Sequence, residues 1–130
     1  MLNHYTGITA ATLCVFSVMT PASAQNFPSK PIRIVASLAP GGGLDTTTRV
    51  VAQYLQASLG QPGIVENRPG AGGGLGNEIV AKSPPDGHTL LTVSIAHAVL
   101  ASANKSLGYS PKRDLVPVTI MVYAPSAMTR

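Results

Sequence analysis

The chain has 130 residues, a formal net charge of +4 and one cysteine. Its nine Lys and Arg residues are scattered, and only Lys112 and Arg113 are adjacent, so the concentrated basic patch that nucleic-acid binding needs is absent. The cysteine, Cys14, lies in an N-terminal segment that we expect to be removed, which excludes disulfides, zinc–thiolate sites and a cysteine nucleophile from the mature chain. The mild positive excess is compatible with a small anionic ligand.

Residues 1–24 are predicted to be a signal peptide. Residues 8–19 form an uncharged apolar run that is too short to span a bilayer as a stable helix. The sequence PASA at 21–24 supplies the small residues that signal peptidase accepts, although the first five residues contain no Lys or Arg. We expect export with cleavage after Ala24; the alternative is a frayed core helix.

Four short apolar runs, each bounded by turn or helix signals, are predicted to be β-strands. They cover residues 32–38, 63–67, 88–94 and 116–123. The first three are rich in β-branched residues, as buried parallel strands tend to be. The segments between them have helical spacing, so the order βαβαβαβ predicts an α/β domain with a mainly parallel sheet flanked by helices.

The firmest helix prediction lies between the first two strands. Asp45 and Thr46 are good N-cap residues, and Gly60 stands where a left-handed residue ends a helix. Apolar residues at helical intervals are expected to form its buried face: Val50, Val51, Tyr54, Leu55 and Leu59. A second short helix is expected to end before Ser83, and a third to occupy a turn or two of residues 95–103.

Two glycine-rich stretches each follow a predicted strand and lead into a predicted helix: LAPGGGLDTTTR at 38–49 and RPGAGGGLGN at 68–77. Ligands usually bind at this edge of an open α/β sheet, where helix N-termini offer unpaired N–H groups and partial positive charge. Neither stretch contains the lysine of a P-loop or the spacing of a dinucleotide fingerprint. A carboxylate is therefore the simpler ligand, and a purely connecting role is the alternative.

Catalysis has weak support in the sequence. Ser94, His97 and Asp45 could be imagined as a triad, but the nucleophile elbow G-x-S-x-G does not occur. His88 and His97 lack metal-ligand spacing with any third group, and a lone histidine in an apolar stretch is more often structural. Asp45 either caps its helix or accepts a hydrogen bond from a ligand, and Arg68 either pairs with a carboxylate or braces its turn.

A series of motifs in consistent order closely resembles the tripartite tricarboxylate transporter substrate-binding proteins, also called the Bug or TctC family. The resemblance covers residues 26 to 125. Its motifs are FPSKPIRIV at 27–35, APGGG at 39–43 with Asp45 and Arg49, LGQP at 59–62, VENRPGAGG at 65–73 with Gly76, AK at 81–82 and PDGHTLL at 85–91.

The resemblance implies a periplasmic solute receptor with the type II periplasmic-binding-protein, or Venus-flytrap, fold. Such receptors close two α/β lobes on a small carboxylate and deliver it to membrane transporter subunits; we expect a monomer without cofactor, metal or catalytic residues. The ligand-binding residues that it implies are Pro40, Gly41, Gly42, Gly43, Leu44 and Asp45 in the first glycine stretch, Pro69, Gly70, Ala71, Gly72, Gly73 and Gly76 in the second, and Ser94 and His97 beyond them.

Three features depart from the family pattern. Leu44 stands where a small polar residue is common, Gly74 replaces a frequent asparagine, and the Asn-Pro that often follows the His-Ala of residues 97–98 is missing. The first two departures remove possible polar contacts with a ligand.

Family members continue well beyond residue 130. We therefore expect residues 25–125 to form an incomplete first lobe, and residues 126–130 to begin the crossover to an absent second lobe. Two alternatives to the receptor remain open at this point: a small secreted α/β hydrolase-like enzyme that uses Ser94 or His97, and a non-functional truncated copy.

Overall fold

The computed structural model describes residues 26–104 and 106–123. The predicted signal peptide with its cleavage site, and residues 126–130, lie outside the described residues. The elements in chain order are β1 (Ile32–Ala36), α1 (Gly43–Leu59), β2 (Gly63–Asn67), a short 3₁₀ turn (Ala71–Gly73), α2 (Gly74–Ala81), β3 (Thr89–Thr92) and α3 (Ala96–Ala103).

The three strands form a parallel sheet in the order β2-β1-β3, with β1 in the centre. Ile34 of β1 pairs with Val65 on one side and with Leu90 on the other. Successive side chains of a strand point to opposite faces, and both Ile34 and Val35 are buried. Both faces of the central strand are therefore covered, which confirms the predicted α/β class with helices flanking a parallel sheet.

Helix α1 begins at Gly43, with Gly42 as its N-cap, so the prediction of Asp45 or Thr46 as N-cap was wrong. The Asp45 carboxylate lies inside the first turn and accepts a hydrogen bond from the backbone N–H of Gly41. The Asp45 side chain thus accepts a hydrogen bond from a backbone N–H that precedes the helix, and Gly42 caps the helix without a side chain. The predicted end is confirmed: Gly60 is left-handed, with φ of 73°.

The buried face of α1 differs in part from the prediction, since Leu55 packs against the core as predicted. Val50 and Tyr54 are 60% and 74% exposed, whereas Thr48 and Ala52 are buried. A Cβ added to Gly63 would lie 2.9 Å from the Cβ of Ala52, so small residues allow the helix to pack closely on β2. The face that contacts the sheet includes small and polar residues, which a search for apolar periodicity does not identify.

The predicted fourth strand is not formed. Residues 116–123 have no strand structure, and Val116, Val118 and Ile120 are 85%, 81% and 83% exposed. A β-strand needs a neighbouring strand with which to form hydrogen bonds. In the described residues, β3 is an edge strand of the sheet and the segment 116–123 does not pair with it. Helices α2 and α3 occupy the predicted segments, and no helix in the described ranges is long and apolar enough to cross a membrane.

Candidate functional site

Both glycine-rich stretches begin at the carboxyl edge of the sheet, as predicted. Ala36 and Asn67, the last residues of β1 and β2, are paired in the parallel ladder. The first glycine turn (residues 38–45) follows β1 and leads into α1, and the second glycine turn (residues 68–76) follows β2 and leads into α2. The two neighbouring strands therefore carry both turns to one edge of the sheet.

The first glycine turn presents backbone donors at the start of α1. The first hydrogen bond of the helix runs from the N–H of Thr46 to the carbonyl of Gly42. The N–H groups of Gly43 and Leu44 precede that bond and have no partner within the helix. Gly42 and Gly43 are exposed, so an anion has access to these donors and to the positive end of the helix dipole.

The second glycine turn has a run of positive φ angles. They are 133° at Gly70, 49° at Ala71, 67° at Gly72 and 95° at Gly73. The N–H of Gly73 donates to the carbonyl of Gly70 at 2.9 Å, and the N–H groups of Ala71 and Gly72 precede that bond. A positive φ at Ala71 carries strain that glycine avoids, and such strain is concentrated at ligand sites.

The second turn lies directly on the end of β1. A Cβ added to Gly76 would lie 3.1 Å from the Cα of Ser37, and one added to Gly73 would lie 3.3 Å from the Ser37 Cβ. Because Ser37 immediately precedes the first glycine turn, this packing holds the bases of the two turns close together. A side chain at position 76 would therefore require the backbone at Ser37 or Arg68 to move by a few tenths of an ångström.

The Asp45 carboxylate is buried beneath the first turn, with its side chain 8% exposed. It accepts hydrogen bonds from the N–H of Gly41 at 3.0 Å, from Asn67 Nδ2 at 2.9 Å and from Arg49 Nε at 3.2 Å. These bonds, first that from Gly41, lower the pKa of Asp45 to about 2. The carboxylate is therefore ionised at neutral pH and surrounded by donors from its own chain.

Ser94 and His97 lie at the start of α3, beside the second glycine turn. Gly72 lines a shallow apolar groove together with Ile95 and Ala96 of this segment. The Ser94 Oγ accepts a hydrogen bond from the N–H of Ala96. No side-chain hydrogen bond in the described part of the chain joins Ser94, His97 and Asp45, so the imagined triad is not assembled.

His97 belongs to a polar cluster that the sequence analysis did not predict. Its Nδ1 lies 3.0 Å from Nδ2 of Asn77, which also donates to the Tyr109 hydroxyl at 3.1 Å. Asn77 is 1% exposed, and its Oδ1 is buried without a hydrogen-bond partner among the described residues. The expectation that His97 is a hydrogen-bonded histidine is confirmed, and Asn77 carried no sequence signal beyond a polar residue in a short helix.

Arg68 pairs with a carboxylate of its own chain, that of Glu66 in β2. Its Nη2 donates to Glu66 Oε2 at 2.9 Å, and Arg33 Nε donates to Glu66 Oε1 at 2.8 Å. The hydrogen bond from Arg33, followed by that from Arg68, lowers the pKa of Glu66 to about 2. No group of three His, Cys, Asp or Glu residues that could hold a metal ion occurs in ranges 26–104 and 106–123.

The family model for the tripartite tricarboxylate transporter family receptors, TctC, matches residues 47–129 of the chain. The chain belongs to the TctC family. This result confirms the resemblance predicted from the glycine-turn and strand motifs. TctC proteins are solute-binding receptors.

Known TctC proteins match most of the chain. Protein BugT of Bordetella pertussis is 44% identical over 106 residues, which are 80% of this chain and 32% of BugT. A solved structure described as a periplasmic transporter is 41% identical over 65% of this chain and 29% of its own, with a TM-score of 0.61. MatC from Rhodopseudomonas palustris, solved with bound malate, is 37% identical over 68% of this chain and 30% of its own, with a TM-score of 0.63.

The chain spans about a third of the length of the curated TctC relatives that it matches. Its parallel three-stranded sheet with flanking helices corresponds to part of the Venus-flytrap fold of the solved neighbours. The predicted fold class is therefore confirmed for the region that the chain shares with them.

Proposed function

We propose that this chain carries the carboxylate-binding edge of a periplasmic solute receptor. The observation that supports this proposal is the pair of glycine turns, which meet at one edge of the sheet. Backbone N–H groups and the N-terminus of α1 recognise a carboxylate through charge-assisted hydrogen bonds and need no lysine. The malate bound in MatC, a relative with the same fold, supports a small carboxylate as the ligand class.

The two turns have separate roles in the proposed site. The N–H groups of Gly43 and Leu44 contact one carboxylate oxygen, and those of Ala71 and Gly72 contact the other. Pro40 and Pro69 restrict the backbone within the turns, because proline fixes its own φ. The remaining residues of the proposed site are Gly41, Gly42 and Asp45, which shape the first turn, Gly70, Gly73 and Gly76, which shape the second, and Ser94 and His97, which approach from α3.

Membership in a receptor family and the N-terminal sequence support the rest of the proposed function. The protein is exported by the signal peptide at 1–24, cleaved after Ala24, and acts without catalysis, metal or cofactor. It works as a monomer, with the small carboxylate as ligand and the membrane subunits of a tripartite transporter as partners. Residues 25–125 belong to the first lobe, and residues 126–130 lead toward the second lobe.

A thermal-shift panel tests the ligand class. The full chain is heated with malate, succinate or citrate, each against its neutral amide at equal ionic strength. A dissociation constant of about 1 mM corresponds to about 4 kcal/mol of binding free energy, which a few N–H donors can supply. At 20-fold excess over that constant, the stabilisation is about 1.8 kcal/mol.

The acids are expected to raise the melting temperature and the amides are not. Equal shifts with acid and amide, or no shift with any acid, would contradict the proposal.

A further inference from the structure

Asn67, which directly precedes the second glycine turn, makes three hydrogen bonds to the first turn and α1. Its Nδ2 donates to the carbonyl of Leu38 at 3.3 Å and to Asp45 Oδ1 at 2.9 Å. Its Oδ1 accepts from Arg49 Nη2 at 3.3 Å. Asn67 is the last residue of β2, so it connects the base of the second turn to both ends of the first.

The orientation of the Asn67 amide is fixed by these partners. Nδ2 faces two acceptors and Oδ1 faces a guanidinium donor. The flipped amide would place its oxygen against the Leu38 carbonyl and the Asp45 carboxylate, where no proton is available. Because each atom has partners of the correct type, the network specifies one arrangement of the two turns.

The Asp45 carboxylate transmits this arrangement to the first turn. Oδ1 accepts from Asn67, while Oδ2 accepts from the N–H of Gly41 and from Arg49. Gly41 has a φ of 85°, a conformation that side-chain-bearing residues avoid, and the hydrogen bond to Asp45 holds the backbone in this conformation. The carboxylate has four hydrogen-bonding or ion-pair contacts within the chain, since Arg49 Nη2 also lies 3.1 Å from Oδ1.

We propose that Asp45 is a positioning residue rather than a ligand contact, and that with Asn67 and Arg49 it locks the two glycine turns into a single rigid unit. This inference rests on the proposed function for its consequence in binding. The lock itself is a property of the ligand-free chain. It presents the N–H groups of both turns in one geometry before a ligand arrives, which reduces the entropy lost on binding.

The test measures backbone amide exchange and amide chemical shifts in the ¹⁵N-labelled full chain. In the wild type, the Gly41 amide shift is expected to follow protonation of Asp45, with a midpoint near 2. Asp45→Asn is expected to speed Gly41 exchange about tenfold, because hydrogen bonds to charged acceptors are among the stronger ones. Asn67→Ala is expected to shift the amides of both turns. The matched controls are Glu78→Gln, which removes one charge from an exposed helical ion pair, and Asn104→Ala, which removes an exposed amide.

Two results would overturn the lock. One is that Asn67→Ala leaves the amides of the first turn unchanged. The other is that Asp45→Asn speeds exchange at the buried strand amides of Ile34 and Val35 by the same factor as at Gly41, which would mean global destabilisation. A malate titration of the same samples keeps the two proposals separate. If malate causes no shifts in the wild type, the proposed function is contradicted, and the exchange data still test the lock. If malate does bind, the wild type is expected to bind it several-fold more tightly than Asp45→Asn.

Discussion

Single glycines in the first turn serve different purposes, although the sequence GGG at 41–43 treats them alike. Gly41 has a φ of 85°, whereas Gly43 lies in the first turn of α1, and a Cβ there meets nothing within 4 Å. The backbone conformation, and not the available space, therefore makes glycine necessary at position 41.

Alanine substitutions separate these roles. We expect Gly41→Ala to lower the free energy of unfolding by about 1 kcal/mol, because a side chain disfavours the left-handed region. Gly43→Ala is the matched control and is expected to be neutral or to stabilise by about 0.5 kcal/mol, since alanine favours the helix. Urea denaturation of both variants measures the difference, and equal effects would contradict the assigned conformations.

The Glu66 carboxylate is expected to make the stability of the chain depend on pH in the acid range. Its folded-state pKa is about 2, held down by Arg33 and Arg68, against about 4.3 in an unfolded chain. A lowered carboxyl pKa contributes stability that is complete above about pH 4.3 and is lost as the pH falls toward 2. Glu66→Gln is therefore expected to flatten the loss of stability between pH 4 and pH 2, measured by urea denaturation at each pH.

The control for the acid response is Glu78→Gln. It removes the same charge from an exposed ion pair with Lys82, which contributes little to stability. The control is expected to keep the wild-type pH dependence. If the Glu66 variant also keeps it, the pairing with Arg33 and Arg68 does not stabilise the fold.

At the scale of elements, the contact between α1 and β2 depends on Gly63, where glycine is needed for lack of space and not for its backbone conformation. A Cβ on Gly63 would lie 2.9 Å from both the Cβ and the carbonyl oxygen of Ala52. One of these atoms belongs to the backbone, so the whole helix would have to move. Gly63→Ala is expected to cost about 1–3 kcal/mol of stability by urea denaturation, as overpacking does.

The control for the helix–strand contact is again Gly43→Ala, which adds the same methyl group at a site with open space. A Gly63→Ala variant as stable as this control would show that α1 does not pack on β2 as described.

Elements marked by local backbone chemistry could be predicted from the sequence. The C-cap at Gly60 and the bounds of β2 at residues 63–67 were predicted correctly, because a left-handed glycine and a β-branched run act locally. On the buried face of α1, Leu55 was predicted but Thr48 could not be, because its partner Thr92 lies 44 residues away in the sequence. At the site, the glycine turns could be predicted from the sequence. The hydrogen bond from Asn67 to Asp45 could not, because it depends on the register of β1 and β2.

At residues 116–123, by contrast, the sequence pattern predicted a strand that the structure does not contain. The alternation of Val116, Val118 and Ile120 satisfies the pattern of a strand, yet these side chains are exposed and the segment joins no ladder. Periodicity reports which face of a strand would be apolar. It does not report whether a neighbouring strand is present to pair with it.

At the scale of the whole molecule, the chain corresponds to only part of each of its relatives. The part of the chain that matches BugT covers 32% of that relative. The described residues contain both glycine turns, so they hold the backbone donors that the proposed carboxylate contact requires. Binding by this chain is accordingly expected to be weak but selective for the charged group.

An amide-by-amide titration with malate tests the proposed carboxylate site. The ¹⁵N-labelled full chain is titrated with malate and, in parallel, with its neutral diamide at equal ionic strength. We expect saturable shifts at the amides of Gly43, Leu44, Ala71 and Gly72 with malate only, because these N–H groups are the proposed donors. Absence of shifts at both turns, or the same shifts with the diamide, would contradict the carboxylate site.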